Sequence, residues 1–143
     1  MQAIDTVISD IIPKFNLVEV KMLVTHIYLN GQCKEAIELY SKAFGGSIET
    51  VIQQPDNVKL IAHAEILIHN QLLMLNDFGD NDGFSKSGGY QLSLQFDTVD
   101  ELKRAFSFLE EGSTIISPMQ ETDYSACVVR FIDKFDVRWG FWV

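Results

Sequence analysis

The stretch GQCKEAIELYSKAFGGS, residues 31–47, and the stretch TVDELKRAFSFLEEGS, residues 98–113, share nearly the same order of apolar, acidic and glycine positions. Glu35 matches Glu101, Tyr40 matches Phe106, Ala43 matches Leu109 and Gly46 matches Gly112, all at one offset of 66 residues. In the first stretch Ala36, Ile37, Tyr40, Ala43 and Phe44 fall at helical spacing, and Gly45-Gly46 supplies a left-handed stop. In the second, Leu102, Ala105, Phe106 and Leu109 form the apolar stripe before Gly112, and Thr98 followed by Glu101 is a capping box. A helix repeated at this distance points to two copies of one structural unit.

The flanking segments repeat as well. VKMLVTHIYLN (20–30) precedes the first helix as a strand, and SIETVIQQ (47–54), VKLIAHAEILI (58–68) and QLLMLND (71–77) follow it. Turns fall at Pro55-Asp56-Asn57 and His69-Asn70. The second half gives YQLSLQFD (90–97) before its helix, then STIISPMQ (113–120), SACVVRFID (125–133) and VRWGFWV (137–143), the last two joined by Lys134-Phe135-Asp136. Each half therefore reads strand, helix, strand, strand, strand. This predicts an α+β protein of two tandem βαβββ modules, 22–77 and 89–143. One helix covers one face of each small sheet, so the pattern also predicts a trough between the modules, lined by alternate strand residues and suited to a small ligand.

Two segments stand outside the repeat. Residues 1–13 place Ile4, Val7, Ile8, Ile11 and Ile12 on one helical face before Pro13, predicting a short helix within an N-terminal extension, 1–21. Residues 77–89 hold four glycines without periodicity and read as a connection. With Asp82-Gly83 set at the fifth and sixth positions of a calcium loop, Phe78 falls at the first and Gly89 at the twelfth, which excludes that motif.

Composition narrows the function. A chain of 143 residues buries roughly 68–70% of its unfolded surface, enough for a core without metal or disulfide staples. Its net charge of −9 repels phosphate backbones and anionic lipid, so neither nucleic acid nor a membrane surface is an expected partner. No apolar run approaches the ~18 residues of a membrane span, and MQAIDTVISDIIPKF has no basic start of a secretory signal. The two cysteines, Cys33 and Cys127, have no metal-ligand spacing and read as reduced thiols of a cytoplasmic protein.

The layout, together with YLNGQCKEAIELYSKAFGG, AHAEILIHNQLLMLND and FIDKFDVRWGFWV, resembles the glyoxalase/bleomycin-resistance/dioxygenase superfamily, or vicinal oxygen chelate fold, and most of all its PhnB-like branch. The resemblance covers about residues 22–143 and implies a homodimer. That fold hosts metal-dependent lyases, isomerases and dioxygenases as well as metal-free drug-binding proteins, so the fold alone does not choose a chemistry. Its metal enzymes take one His or Glu from each of four strands. Matched strand to strand, those places fall on Thr25, Met74, Gln91 and Gly140, none of which offers the imidazole or carboxylate that a divalent ion needs.

The resemblance thus implies a small-molecule-binding protein with no metal and no cofactor, its trough lined by Thr25, Ile27, Met74, Gln91, Ser93 and Gly140. Gln91 and Thr25 would orient the ligand, and Met74 with Ile27 would supply apolar contact. The rival reading is an enzyme, a divergent metal lyase, isomerase or dioxygenase. His63 and Glu65 share a strand face two residues apart, and a one-residue slip would exchange Thr25 for His26. No Ser-His-Asp or Cys-His arrangement stands out, and no phosphate-cradling glycine loop is present. The demethylubiquinone methyltransferase label carried by some relatives of the branch finds no Rossmann-like S-adenosyl site here. Arg130 and Arg138 are candidates to clamp an acidic ligand or to pair with Asp133 or Asp136. Trp139 and Trp142 point to opposite faces of the last strand, and Tyr90 and Tyr124 read as ordinary core or rim aromatics.

Overall fold

A computed structural model describes residues 21–79 and 88–143. The helix expected at residues 1–13 lies outside them, as does most of the glycine-rich connection. The described residues fall into two compact units, each taken by itself below.

The first unit begins with β1 (Thr25–Leu29) and α1 (Cys33–Phe44), then β2 (Ser47–Gln54), β3 (Asn57–Ile68) and β4 (Gln71–Asp77). Gln32 gives α1 no side-chain cap. The acceptor comes from the sheet instead, since the Cys33 N–H donates to Asp77 Oδ1 at 3.0 Å. Gly45 ends the helix at φ 63°, and the Gly46 N–H donates back to Ser41 O. Gly46 is required for a second reason: a Cβ there would lie 2.0 Å from the carbonyl oxygen of Leu67. Helix and β3 approach too closely for any side chain at that point.

The sheet order is β1-β4-β3-β2, with β1 parallel to β4 and the other pairs antiparallel. His69 and Asn70 both take positive φ, 48° and 61°, which is the two-residue turn whose twist suits a tight hairpin. Ala64 pairs with Leu75 and Ile66 with Leu73, and these buried residues with Leu29 form the helix-facing side. Asp77 shares that side through strand alternation, which is how it meets the start of α1.

The second unit repeats the plan with β5 (Leu92–Gln95), α2 (Val99–Leu109), β6 (Thr114–Gln120), β7 (Val128–Ile132) and β8 (Arg138–Trp142), in the order β5-β8-β7-β6. Thr98 Oγ1 accepts from the Glu101 N–H at 3.1 Å, the cap expected from the sequence. Leu102, Ala105, Phe106 and Leu109 bury the helix stripe. Phe106 meets Phe131 edge-on at 5.0 Å, so the helix packs on β7, and Phe131 meets Phe141 of β8 at the same separation.

The turn between β7 and β8 is tied by Asp133, only 3% exposed. Its Oδ1 accepts from the Phe135 and Val137 N–H groups at 2.9 and 3.0 Å, and its Oδ2 from Trp139 Nε1 at 2.9 Å. The strands expected at 20–30, 90–97 and 125–133 are shorter in the structure, as β1, β5 and β7. Near β7, the Ser125 hydroxyl engages the carbonyls of Cys127 and Val143 and ties that segment outside the ladder.

Candidate functional site

Among the described residues, each sheet has one face under its helix and one face without it. On the first sheet, cross-strand register sorts the side chains. His26 pairs with Met74, and Met74 with Glu65, which places these three in one row on the helix-free face. His63, Asn76 and Tyr28 share that face by alternation. Thr25 and Ile27 pair with Leu73 and Leu75 and so point to the helix side. The expectation that Thr25 and Ile27 share a face with Met74 is thereby corrected. β1 is displaced by one residue from the family match, and a one-residue displacement exchanges faces.

The row runs from buried Glu65 and Asn76, through half-buried His63 and Met74, to exposed His26 and Tyr28. Glu65 is 0% exposed. Its Oε2 lies 3.2 Å from His63 Nε2, while its Oε1 is buried and accepts no hydrogen bond. Asn76 Nδ2 donates to the carbonyl of Asp77 at 2.8 Å, which fixes its amide and turns Oδ1 outward as an acceptor. His26 Nε2 donates to that oxygen. The His26 ring stacks on Tyr28 with centroids 4.7 Å apart and stands edge-on to His63 at 6.2 Å. Tyr28 in turn meets Phe78 at 5.5 Å.

Sequence reasoning reached His63, Glu65 and Met74, treated His26 only as a slip, and missed Asn76, Tyr28 and Phe78. A signal for His26 and Tyr28 was present. Ile27 and Leu29 alternate with them, and the apolar pair belongs on the helix side.

On the second sheet Ser93 pairs with Gly140 and Gly140 with Arg130, so these occupy the helix-free face. Gln91 joins them: its Nε2 donates to Ser93 Oγ at 3.0 Å, and its amide lies over Gly140, where a Cβ would come within 2.3 Å of Nε2. The glycine at this position makes room for Gln91. Arg138 donates through Nη1 to the carbonyl of Gly88, and its buried Nε is unpaired. Neither arginine forms an ion pair among the described residues. Trp139 is buried on the helix side and Trp142 is partly exposed on the other, as strand alternation required. The Tyr90 hydroxyl donates to the carbonyl of Asp136 and accepts from the Arg138 N–H.

Among the described residues no group of three or more His, Cys, Asp or Glu is arranged to hold a metal ion. His26 Nε2 is engaged by Asn76, and Glu65 Oε2 lies against His63. As placed, these donors do not form a metal centre of the kind the fold family uses. No helix among the described residues is long and apolar enough to cross a membrane. Burial pushes the Cys33 thiol up to about 12, and the neighbouring Asp77 carboxylate adds to the shift. Burial likewise raises the Cys127 thiol, against an opposing effect of Lys103.

Two βαβββ units, each a four-stranded mixed sheet with one covering helix, define the architectural class. Residues 23–141 match the model of the Glyoxalase/Bleomycin resistance protein/Dioxygenase superfamily, and the chain belongs to that family. It is 27% identical over 129 residues to Protein YjdN of Escherichia coli (strain K12), covering 76% of this chain and 86% of that protein. The crystal structure of protein PA1353 from Pseudomonas aeruginosa is similar at a TM-score of 0.78 and 27% identity, covering 85% of this chain and 96% of the other. A Bacillus cereus PhnB protein, named as a putative 3-demethylubiquinone-9 3-methyltransferase, shares the fold at a TM-score of 0.76 and 21% identity, covering 85% and 98%. Among these neighbours the likeness to a PhnB protein is one of fold.

Proposed function

We propose that this chain is a small-molecule-binding protein that works without a resident metal ion and seats its ligand against the helix-free face of the first sheet. The observation that carries the reading is the buried, unpartnered Oε1 of Glu65. Leaving a buried polar atom unpaired costs about 1–3 kcal/mol, and more when it is charged, so a site that keeps such an atom is one in which another molecule completes it. His63 and Met74, both next to Glu65, supply a polar and an adaptable apolar contact. Membership of a family whose fold hosts both binding proteins and enzymes is compatible with this role and does not by itself select it.

A metabolite and drug library screened by thermal shift tests the proposal. A ligand at 100 times its Kd stabilises by about 2.7 kcal/mol, and for a chain of this size that raises Tm by roughly 5–10 °C. Glu65→Ala should abolish the shift. A library with no hit, or a hit indifferent to Glu65→Ala, counts against the reading. The competing reading, a metal-dependent lyase, isomerase or dioxygenase, draws on the same His63–Glu65 pair. Elemental analysis of protein purified without chelators decides between them: one equivalent of zinc, nickel, iron or manganese, lost on Glu65→Ala, defeats the metal-free assignment. Assembly as a homodimer is part of the same proposal, supported by the exposed Ile48, Val51, Ile52 and Val58 of β2 and β3 and checked by light scattering.

A further inference from the structure

We infer that the ligand presents a positively charged nitrogen, an alkyl- or arylammonium group, to a recess formed by Glu65 and the aromatic rings of His26, Tyr28 and Phe78. The inference rests on the small-molecule reading above and names the class of compound. Glu65 supplies the first argument. Its carboxylate is fully buried with a single polar partner, His63, at 3.2 Å, and Oε1 has none. An ammonium group brings both the missing donors and a compensating charge, and a hydrogen bond with an ionised partner is about twice as strong as a neutral one.

The rings supply the second argument. His26 stacks on Tyr28 and Tyr28 leans on Phe78, which builds a continuous aromatic surface on this face. Aromatic faces attract a cation held within about 6 Å of the centroid. Met74 sits between His26 and Glu65 in the cross-strand row and is half-buried. Its unbranched thioether chain can swing aside without moving backbone. An anionic ligand would meet the reverse of all this. None of the cluster residues is a lysine or arginine, and the chain as a whole carries a net charge of −9.

Benzylammonium and benzyl alcohol, alike in shape and different in charge, separate the alternatives. With methyl-labelled methionine, the Met74 methyl resonance reports occupancy of the recess by NMR titration. Benzylammonium should shift it at millimolar concentration and bind roughly 10- to 100-fold more tightly than the alcohol, the ratio of one charge-assisted hydrogen bond. Glu65→Gln should cut ammonium affinity by that ratio and leave the alcohol unchanged. Tyr28→Leu, at a position 43% exposed, should weaken the ammonium by roughly two- to fivefold, and it carries the test should Glu65→Gln fail to fold. Equal binding of the two probes overturns the charge assignment and leaves small-molecule binding standing. Binding of neither also overturns it, whereas the broader reading falls only to a library screen with no hit or with hits indifferent to Glu65→Ala.

Discussion

Asp133→Ala is expected to be among the most damaging single changes outside the apolar core. The carboxylate is buried and accepts three hydrogen bonds, from the Phe135 N–H, the Val137 N–H and Trp139 Nε1. Truncation leaves three donors without this acceptor. At about 1–3 kcal/mol for each stranded donor, with relief where water enters, the loss centres on about 4 kcal/mol. That is a large part of the roughly 5–15 kcal/mol by which a domain is stable, and it lowers Tm by roughly 8–16 °C. Asp133→Asn separates the contributions. Both backbone donors use Oδ1, so the amide keeps its oxygen there and turns Nδ2 toward the indole N–H, donor against donor. Its penalty should be about 1–3 kcal/mol, and in a Trp139→Phe background it should shrink by about 1 kcal/mol or more. Urea unfolding of the four proteins in this cycle measures the coupling. A loss for Asp133→Ala below about 1 kcal/mol, or penalties for Asp133→Asn and Trp139→Phe that add within about 0.5 kcal/mol, refutes the three-donor account.

Gly46→Ala drives a Cβ into the Leu67 carbonyl, a backbone atom that cannot step aside, and should cost roughly 1–3 kcal/mol. Gly140→Ala meets only the end of the Gln91 side chain and should cost less, and chemical denaturation of the two variants gives the order. Thr98→Ala removes the acceptor for the Glu101 N–H and should lower stability by about 1 kcal/mol in the same assay. The Cys33 thiol has its pKa raised from 9.0 to about 12 by burial, with Asp77 adding to the effect. The folded state therefore holds its proton longer than the unfolded state, and this contribution is complete below pH 9 and lost as pH rises toward 12. Unfolding titrations across that window should show a downward slope that Cys33→Ala reduces, and native Cys33 should resist alkylation at neutral pH.

The repeat was legible because each helix announces itself: an apolar stripe at 3.6-residue spacing, a glycine stop and, at Thr98, a cap. The strands β2 and β4 were readable to their ends for a related reason, since turn residues bracket both. The candidate site was less legible. β1 is five residues long and its burial pattern is weak: Thr25, His26 and Tyr28 are all exposed. Family matching placed Thr25 in the ligand row, whereas the ladder to β4 puts His26 there. Glu65 stood out only as one polar residue alternating in HAEILI, with nothing in the sequence to say that one of its oxygens would lack a donor. The seating of Gln91 over Gly140 joins residues 49 positions apart and follows from the β5–β8 register, which no local pattern encodes.

Among the described residues β1 has one neighbour in its sheet, and that neighbour is parallel. A hairpin such as β3–β4 closes through its own two-residue turn within microseconds, whereas β1 must wait until the chain has passed through a helix and two further strands. The strand that carries His26 and Tyr28 is therefore expected to dock after the β3–β4 hairpin and to come away before it. Amide hydrogen exchange should find Thr25–Leu29 less protected than Ala64–Ile68, and should find the gap narrowed once a ligand bridges the two. Recognition and completion of the sheet would then be one event, with occupancy readable in the amides of an edge strand.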